Sequence, residues 1–385
     1  MAIHVVNEAR RCLHCKKPMC REGCPINTNI PEVIELFRTG HKEDAGAMLY
    51  ENNPLSVICS LVCDHDKQCE GHCVLGRKGA PVHFSSIENY ISDSYLDHLH
   101  LEMQPKTGQR VAIIGSGPAG ITISILLAQR GYQVTMFESR EKIGGVLRYG
   151  IPEFRLPKSI LDRYQKQLTQ LGIRIRPNTA IGRTLTVDDL QRDGYEAIFI
   201  GTGVWKPKAM GIPGESLGNV NYAIDYLVNP DVYDLGDDLV VIGAGNSAMD
   251  VARTALRKGV RRVNVFCRRY QTAASVREVD YAKADGVEFF YGMRPTRIVD
   301  DGVYYKKVEM NEEGNITSTS EEQFFPCSSV IIAISQGAQS RIVSTTTGLE
   351  ISSHGLLATN EHGETTREGI FASGDVVLGA RTVVE

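Results

Sequence analysis

The chain has 385 residues, of which 42% are hydrophobic and 23% charged. This composition excludes a disordered chain, a collagen-like repeat and a coiled-coil rod, and the length predicts two or three domains. A net charge of −4 gives no general attraction to nucleic acid or to anionic lipid. The first residues lack the apolar region of a signal peptide, and no uncharged apolar run reaches about 18 residues. We therefore expect a cytoplasmic protein that does not span a membrane.

Eight of the ten cysteines lie between residues 12 and 73. The first group, C-x2-C-x4-C-x3-C-P, consists of Cys12, Cys15, Cys20 and Cys24. The second, C-x3-C-x5-C-x3-C, consists of Cys59, Cys63, Cys69 and Cys73. Disulfides need an oxidising compartment, for which the chain has no export signal. The spacing favours iron-sulfur clusters, because thiolates in such runs hold them and the last cysteine of a C-P run often ligates a second cluster. Zinc and free thiols stay open, since four histidines lie nearby.

Short helices are predicted around these cysteines, at 30–38, 42–50 and 85–96. Pro31 suits the first turn of the first helix, with Asn29 as its cap. Ser85 is expected to cap the third helix, with Glu88 three residues further on as in a capping box.

A glycine loop follows the apolar run 111–114, which is predicted to be a buried parallel strand. A helix to Gln129, a strand at 133–137 and the acid Glu138 come next, and this is the context of a dinucleotide-binding unit. The glycines would let the backbone approach a pyrophosphate, and Glu138 would accept hydrogen bonds from a ribose. The candidate contacts are Gly115, Gly117, Pro118, Ala119, Gly120 and Glu138.

A second unit of this kind begins with the predicted strand 239–242 and continues with a helix through 251–258 and a strand at 262–266. Here the strand runs into two arginines instead of an acid, which favours the 2′-phosphate of NADPH over the free hydroxyl of NADH. The candidate contacts are Gly243, Gly245, Asn246, Ser247, Ala248, Arg268, Arg269 and Arg277. Alternatively, the arginines form a solvated turn beside Asp280 and Asp285.

Two such units in one chain suggest one site for a flavin and one for a nicotinamide. A strand near the end of the chain leads into Gly374-Asp375, which alone would be merely a turn. Beside the first loop, we interpret it as the chain returning to the flavin domain, with the carboxylate directed at the ribityl chain. The further candidate contacts for FAD are Gly144, Gly145, Arg148, Gly203, Gly374, Asp375 and Thr382.

Taken together, both cysteine groups, the two glycine loops, the segment 144–157, Arg268-Arg269 and the segment 374–385 resemble the glutamate synthase small (beta) subunit family. The chain is also similar to the N-terminal NADPH, FAD and Fe-S portion of dihydropyrimidine dehydrogenase and to flavin subunits of bifurcating transhydrogenases. The resemblance implies an α/β fold with two Rossmann-like domains, for FAD and NADPH, preceded by a small helical iron-sulfur domain. The implied segments are 1–106 (iron-sulfur), 107–235 (FAD, first part), 236–343 (NADPH) and 344–385 (FAD, returning part).

The same resemblance implies two [4Fe-4S] clusters with crossed ligands. The first would be held by Cys12, Cys15, Cys20 and Cys73, and the second by Cys24, Cys63, Cys69 and Glu88. Cys59 would then bind no iron. In a simpler scheme the whole second cysteine group holds one cluster and Glu88 only caps its helix. The resemblance further implies a helix beside the flavin that begins near Thr382, of which this sequence contains about one turn.

The implied function is that of an electron-input subunit, which passes electrons from NADPH through FAD and the clusters to a partner. That partner would be a large FMN-containing catalytic subunit or another electron acceptor protein. An alternative is the NAD(P)H-oxidising subunit of a dihydropyrimidine dehydrogenase or a bifurcating transhydrogenase. Outside enzymes, a zinc-clamped, nucleotide-binding redox scaffold stays open.

Overall fold

The computed structural model describes residues 2–99, 103–311, 314–339 and 341–385. The chain forms two units, the first with Met1–Arg148, Glu153–Val204 and Ala338–Glu385, and the second with Tyr149–Pro152 and Trp205–Gly337. The predicted bounds of the four segments stay predictions.

The N-terminal part of the first unit is helical. Its helices are α1 (Ala2–Ala9), α2 (Met19–Glu22), α3 (Ile30–Arg38), α4 (Lys42–Asn52), α5 (Ser56–Val62) and α6 (Phe84–Asp97), with a 3-10 turn at Val74–Arg77. Val33 and Ile34 of α3 pack with Leu49 of α4 and Ile87 of α6 in one buried core. Several of the cysteines border this core, so the helices form the wall of a cysteine-lined region.

The predicted helices are confirmed, but the predicted caps of α3 and α6 are wrong. Asn29 stands at the cap position of α3, yet its side chain makes no capping hydrogen bond. Helix α6 begins one residue before Ser85, whose backbone N–H donates to Oε1 of Glu70 at 2.9 Å. Glu88 accepts a hydrogen bond from Ser56 instead of closing a capping box. The Glu70 carboxylate, from another segment, thus accepts a hydrogen bond from a free backbone N–H in the first turn of α6.

The next part of the first unit alternates strands and helices. Its elements are β1 (Arg110–Ile114), α7 (Pro118–Gln129), β2 (Gln133–Phe137), α8 (Val146–Tyr149), α9 (Lys158–Gln170), β3 (Arg174–Arg176), α10 (Val187–Arg192) and β4 (Ala197–Ile200). Strand β1 pairs in parallel with β2 and with β4, and four of its five residues are buried. Such continuous apolar strands are typical of a parallel sheet that is covered on both faces.

The second unit repeats this alternation and adds an antiparallel sheet. Its elements are β5 (Lys206–Pro207), β6 (Val220–Tyr222), α11 (Ala223–Val228), a 3-10 turn (Pro230–Val232), β7 (Asp238–Ile242), α12 (Asn246–Arg257), β8 (Arg262–Cys267), α13 (Val276–Ala284), β9 (Glu288–Tyr291), β10 (Met293–Val299), β11 (Gly302–Met310), β12 (Ile316–Thr319), β13 (Gln323–Pro326), β14 (Ser329–Ile332) and β15 (Gln336–Gly337). The parallel sheet has the order β6-β14-β7-β8-β9. Strands β10 to β13 form the antiparallel sheet, and β15 pairs with β5.

The chain then returns to the first unit through α14 (Arg341–Ser344), β16 (Ile370–Ala372) and α15 (Asp375–Leu378). Strand β16 pairs in parallel with β4 and completes a five-stranded sheet of order β16-β4-β1-β2-β3. Two parallel sheets preceded by helices confirm the predicted α/β fold class. Among the described helices, none is long and apolar enough to cross a membrane.

Candidate functional site

The first glycine loop connects β1 to α7, and two of its glycines are required by the protein's own packing. Gly115 has φ +98°, and a Cβ there would lie 2.6 Å from the carbonyl oxygen of Gly201. A Cβ on Gly120 would lie 2.0 Å from the carbonyl oxygen of Gly115. Any side chain at either position would therefore push the loop away from the sheet.

Gly117, between those two, faces open space. A Cβ there would approach no described atom more closely than the carbonyl oxygen of Gly201, at 4.0 Å. The packing of the described residues therefore does not require glycine at this position. Helix α7 begins directly after it, with Pro118 in its first turn and Ala119 next. In a dinucleotide-binding unit the second glycine lets the backbone approach the pyrophosphate, at the positive end of the helix dipole. The loop therefore fits such a group.

Glu138, at the end of β2, is 5% exposed and lies against the glycine loop. Its Oε2 accepts hydrogen bonds from the backbone N–H of Ser116 at 3.0 Å and from the Ser116 hydroxyl. Its Oε1 accepts from the Ser139 hydroxyl at 3.1 Å and from the N–H of Arg140 at 2.8 Å. A carboxylate offers about four acceptor positions, so a ribose hydroxyl would replace one of the two serine hydroxyls.

Ser116 is a residue that the sequence reasoning missed, because the loop motif treats its position as variable. It is fully buried, and its backbone oxygen accepts from the N–H of Gly144 at 2.9 Å. Gly144 and Gly145 have φ of +123° and +51°, and a Cβ on Gly145 would lie 2.8 Å from the Cα of Gly117. The predicted pair of glycines thus lies beside the open glycine of the loop.

The predicted FAD contacts Arg148 and Gly203 lie at different places in the first unit. The guanidinium of Arg148 donates to the Ile143 carbonyl at 2.7 Å and to Oδ1 of Asp162 on α9 at 2.7 Å, so it fastens the glycine turn to α9. Gly203, with φ +67°, lies just beyond β4, at the same end of the sheet as the loop after β1.

Near the C-terminus, Gly374 and Asp375 return to the first loop. A Cβ on Gly374, which has φ +77°, would lie 3.3 Å from the Cβ of Ala119. Asp375 accepts from the N–H of Arg381 at 3.2 Å, and burial raises the pKa of its carboxyl to about 6. An expected helix beyond Thr382 is here a single turn, in which the N–H of Glu385 donates to the Thr382 carbonyl at 3.2 Å.

In the second glycine loop, as in the first, one glycine is enclosed by backbone and another faces open space. Gly243 has φ +129°, and a Cβ there would lie 2.3 Å from the carbonyl oxygen of Ala333. A Cβ on Gly245 would meet nothing within 4 Å among the described residues. Ala248, which stands where the first loop has its third glycine, is fully buried. The loop therefore also offers a backbone that a pyrophosphate can approach.

A segment that the sequence reasoning missed packs against the second loop. The N–H groups of Ala273 and Ala274 both donate to the Ala244 carbonyl, at 2.9 and 3.0 Å. The N–H of Ser275 donates to Oδ1 of Asn246 at 3.0 Å. The side chain of Asn246, a predicted NADPH contact, therefore binds this segment in the structure. Ser247, the residue after Asn246, is half-buried.

Arg268 and Arg269 follow β8 directly and are exposed. Neither forms an ion pair or hydrogen bond with another described residue. Asp285, which the alternative interpretation places beside them, instead pairs with Arg253 at 2.9 Å and with Arg257 at 2.7 Å. The third predicted arginine, Arg277, is half-buried in the first turn of α13.

The cysteines of the helical part form two sets. The first set lines a cavity of about 480 Å³, counted with its opening to solvent. Its lining includes Cys12, Cys15, Cys20, Cys69 and Cys73. Burial, together with the neighbouring thiols of Cys12, Cys73 and Cys15, raises the pKa of Cys20 to about 11. Cys73, from the second cysteine group, thus lies with three cysteines of the first.

The second set is more deeply buried. Cys63 hydrogen-bonds with Cys59 and interacts electrostatically with Glu88 and Cys69, and the pKa of Cys63 lies well above its usual value. Cys69 in turn interacts with Glu88 and with Cys24. Burial raises the pKa of Glu88 to about 8. Electrostatic interactions therefore link the four residues of the second predicted ligand set, and Cys59 contacts one of them, Cys63.

All ten cysteines are free thiols, so the structure has no disulfide. In the part of the chain that the structure describes, no group of three or more histidine, cysteine, aspartate or glutamate side chains is placed to bind a single metal ion. Soft thiolates around a cavity suit a polynuclear iron-sulfur group. The donor set of both groups therefore fits [4Fe-4S] clusters.

The chain matches two protein families. Residues 87–189 and 109–385 match the family described as pyridine nucleotide-disulphide oxidoreductase. Residues 2–99 match the family described as dihydropyrimidine dehydrogenase domain II, 4Fe-4S cluster. Together these matches extend over both cysteine groups and both glycine loops.

Among curated proteins, the glutamate synthase [NADPH] small chain of Halomonas elongata is 33% identical over 98% of this chain and 86% of its own length. The NAD-dependent dihydropyrimidine dehydrogenase subunit PreT of Escherichia coli (strain K12) is 31% identical over 98% of this chain and 90% of its own length. Among solved structures, Mycobacterium tuberculosis FprA in complex with NADPH superposes with a TM-score of 0.59 at 20% identity. That match covers 73% of this chain and 81% of the FprA chain, and it supports the fold alone.

Proposed function

Because this chain belongs to the glutamate synthase small-chain family, we propose that it is the electron-input subunit of a larger enzyme, which takes electrons from NADPH and passes them to a partner protein. The chain is a flavin-dependent oxidoreductase whose cofactors are FAD, NADPH and [4Fe-4S] clusters.

The observation that carries this proposal is the matched pair of open glycines. In each loop the first glycine is enclosed by backbone from a neighbouring strand end, while Gly117 and Gly245 face space that no described atom fills. A loop that served only as a tight turn would have no need of this second glycine. Two such loops in one chain support two dinucleotide sites, and the two cysteine sets support the clusters.

We assign the first loop, with Glu138 and Asp375, to FAD, and the second loop to NADPH. Hydride transfer from NADPH and the onward release of electrons would be chemistry that FAD and the clusters supply when bound. The chain's own residues bind and orient. Arg268 and Arg269 would form charge-assisted hydrogen bonds with the 2′-phosphate, and the start of α12 would face the pyrophosphate.

The clusters would be held by the crossed ligand sets. Cys12, Cys15, Cys20 and Cys73 would hold the first, and Cys24, Cys63, Cys69 and Glu88 the second. Cys69 and Cys73 both line the cavity of the first cysteine group. Cys73 interacts electrostatically with Cys20, whereas Cys69 interacts with Glu88 and Cys24, and this difference supports the crossed scheme over the simpler one. Thiolate ligands need reducing surroundings before the clusters are loaded, and we therefore place the protein in the cytoplasm.

The partner that we propose is a large FMN-containing catalytic subunit. The similarity to PreT, which is named as a subunit of a dihydropyrimidine dehydrogenase, favours a second candidate, in which the acceptor subunit reduces a pyrimidine. Copurification from the native host distinguishes the two candidates. A large chain that forms glutamate supports the first, and one that consumes uracil supports the second.

Anaerobic purification with iron, sulfide and flavin measured together tests the proposal. We expect about one FAD and two [4Fe-4S] clusters per chain, with cluster absorbance near roughly 400 nm. Cys20→Ser should remove one cluster and leave FAD in place. Cys267→Ser, which changes a buried cysteine of the second unit, is the matched control and should keep both clusters. A colourless protein that binds zinc and no flavin would instead support the scaffold alternative.

A further inference from the structure

Ser56, the first residue of α5, contacts the carboxylate that stands beside the second cysteine set. Its Oγ donates to Oε1 of Glu88 at 2.8 Å and lies 2.8 Å from the Oγ of Ser92. All three side chains are buried, at 3%, 8% and 7% exposure for Ser56, Glu88 and Ser92. A hydroxyl has one proton to donate, so Ser56 gives its proton to Glu88 and Ser92 donates to Ser56. The three residues thus form one directed chain of hydrogen bonds.

The second oxygen of Glu88 has a different environment. Within the described residues, Oε2 accepts no hydrogen bond, and the carboxylate interacts electrostatically with Cys63 and Cys69. A carboxylate oxygen that accepts no hydrogen bond keeps its lone pairs free for another partner. This oxygen is therefore the one that is available to iron.

We propose that Ser56 is a positioning residue for the second cluster. It occupies Oε1 of Glu88, so that only Oε2 is presented to iron, and Ser92 fixes the rotamer of the Ser56 hydroxyl. This inference rests on the proposed function, which assigns Glu88 to that cluster. Groups that hydrogen-bond a ligating carboxylate orient it, and their loss typically costs 10–100-fold in metal affinity.

The hydrogen bond also changes the electronic character of the ligand. A donor to Oε1 draws electron density from the carboxylate, so Glu88 donates less charge to iron. The reduced cluster carries one more negative charge, which such a donor stabilises. Without the Ser56 hydroxyl, the second cluster should therefore have a more negative reduction potential.

Ser56→Ala in the full-length, anaerobically loaded protein tests this inference. We expect the second cluster to lose iron to a chelator at a concentration roughly 10–100-fold lower than in the parent protein. We also expect its potential, measured by an electron-resonance redox titration, to become more negative while FAD content stays unchanged. Ser56→Thr keeps the hydroxyl and should restore both properties.

Ser60→Ala is the matched control. Ser60 is a buried serine on the same helix, but its Oγ donates to the Val57 carbonyl at 2.7 Å and accepts from Nδ2 of Asn89 at 3.1 Å, whereas the hydrogen bond to Glu88 comes from Ser56. This variant should have the iron retention and potential of the parent protein. If Ser56→Ala behaves like Ser60→Ala, Ser56 does not position the ligand and the inference is wrong.

Glu88→Ala in the same series separates this inference from the ligand assignment on which it rests. If Glu88→Ala loses the second cluster and Ser56→Ala is unchanged, the ligand assignment stands and only the role of Ser56 is refuted. If Glu88→Ala keeps full iron content and an unchanged second-cluster signal, the ligand assignment itself is refuted and the inference with it.

Discussion

Arg268 and Arg269 are exposed directly after β8. In dinucleotide-binding units the residue at this position determines whether NADH or NADPH is preferred, and we propose that role for these arginines. Arg268→Ala should weaken NADPH binding by roughly tenfold or more, since charge-assisted hydrogen bonds contribute about 1.5–3 kcal/mol. NADH binding should change little because NADH lacks the 2′-phosphate. Fluorescence titration with both nucleotides measures this difference. Arg261→Ala, an exposed arginine just before β8, is the control, and equal losses of NADH and NADPH would refute a phosphate contact.

Asp375 should make the stability of the FAD-free protein depend on pH. Burial raises its pKa from 3.8 to about 6, so the folded state binds the proton more tightly than the unfolded state does. The stabilising contribution is complete below about pH 4 and is lost as pH rises through 6. Asp375→Asn should therefore be more stable than the parent at pH 7, with no difference at pH 3.5. Thermal unfolding of both proteins between pH 3.5 and pH 7 measures the difference in stability. A difference that does not change with pH would refute the predicted titration of Asp375.

At the residue scale, the sequence predicted those positions whose chemistry follows from a spacing rule. The cysteines, the loop glycines and Glu138 belong to this class. Ser56 and Ser116 do not, because each acts through a partner 32 or 22 residues away in the chain, which only the folded chain brings close. No local pattern distinguishes these serines from the others.

Gly117 and Gly245, the glycines that face open space in the two strand-loop-helix elements, should each affect one cofactor when replaced by alanine. Gly117→Ala places a methyl group where we expect the FAD pyrophosphate, and Gly245→Ala does the same for NADPH. Each variant should fold normally, since no described atom lies closer than 4.0 Å to the added Cβ. Bound flavin and the NADPH dissociation constant should show that each variant weakens one cofactor and spares the other. Loss of both cofactors in either variant would contradict the assignment.

Helices α12 and α13 are joined by a buried ion pair, in which Arg253 donates to Oε2 of Glu278 at 2.8 Å. Arg253→Ala removes the guanidinium that neutralises this carboxylate and should cost about 3–5 kcal/mol. Arg257→Ala, at 40% exposure, should cost about 1 kcal/mol or less. Trp205 is the only tryptophan and lies in the second unit, so its fluorescence in a denaturant titration reports this unit. Equal losses for the two arginines would refute a special role of the buried pair.

Most elements near the predicted sites agree with the sequence, because their patterns are strong. Continuous apolar runs predicted β1, β2, β7 and β8, and the glycine loops marked the starts of α7 and α12. The ends of α6 were less predictable, since Glu70, 15 residues before Ser85, satisfies its first turn. Long-range hydrogen bonds of this kind override local capping signals.

At the scale of the whole molecule, the iron-sulfur helices are fastened to the flavin part through α9. The Tyr164 hydroxyl donates to the Pro54 carbonyl at 2.6 Å, and Gln167 donates to the Tyr50 hydroxyl. Arg163 donates to Asp93 on α6 at 2.5 Å. Tyr164 also interacts electrostatically with Cys59, so these contacts reach the second cysteine set. The sequence could not predict this, because α9 has no motif and its partners lie far away along the chain.

The central claim is that one chain carries electrons from NADPH through flavin to cysteine-bound iron. Anaerobic titration of the purified, fully loaded protein with NADPH, followed by absorbance and electron resonance, tests it most directly. We expect the flavin bands to bleach and signals of reduced [4Fe-4S] clusters then to appear, more weakly in Cys20→Ser. Flavin and clusters that stay oxidised in excess NADPH, although chemical reductant reduces both, would contradict it.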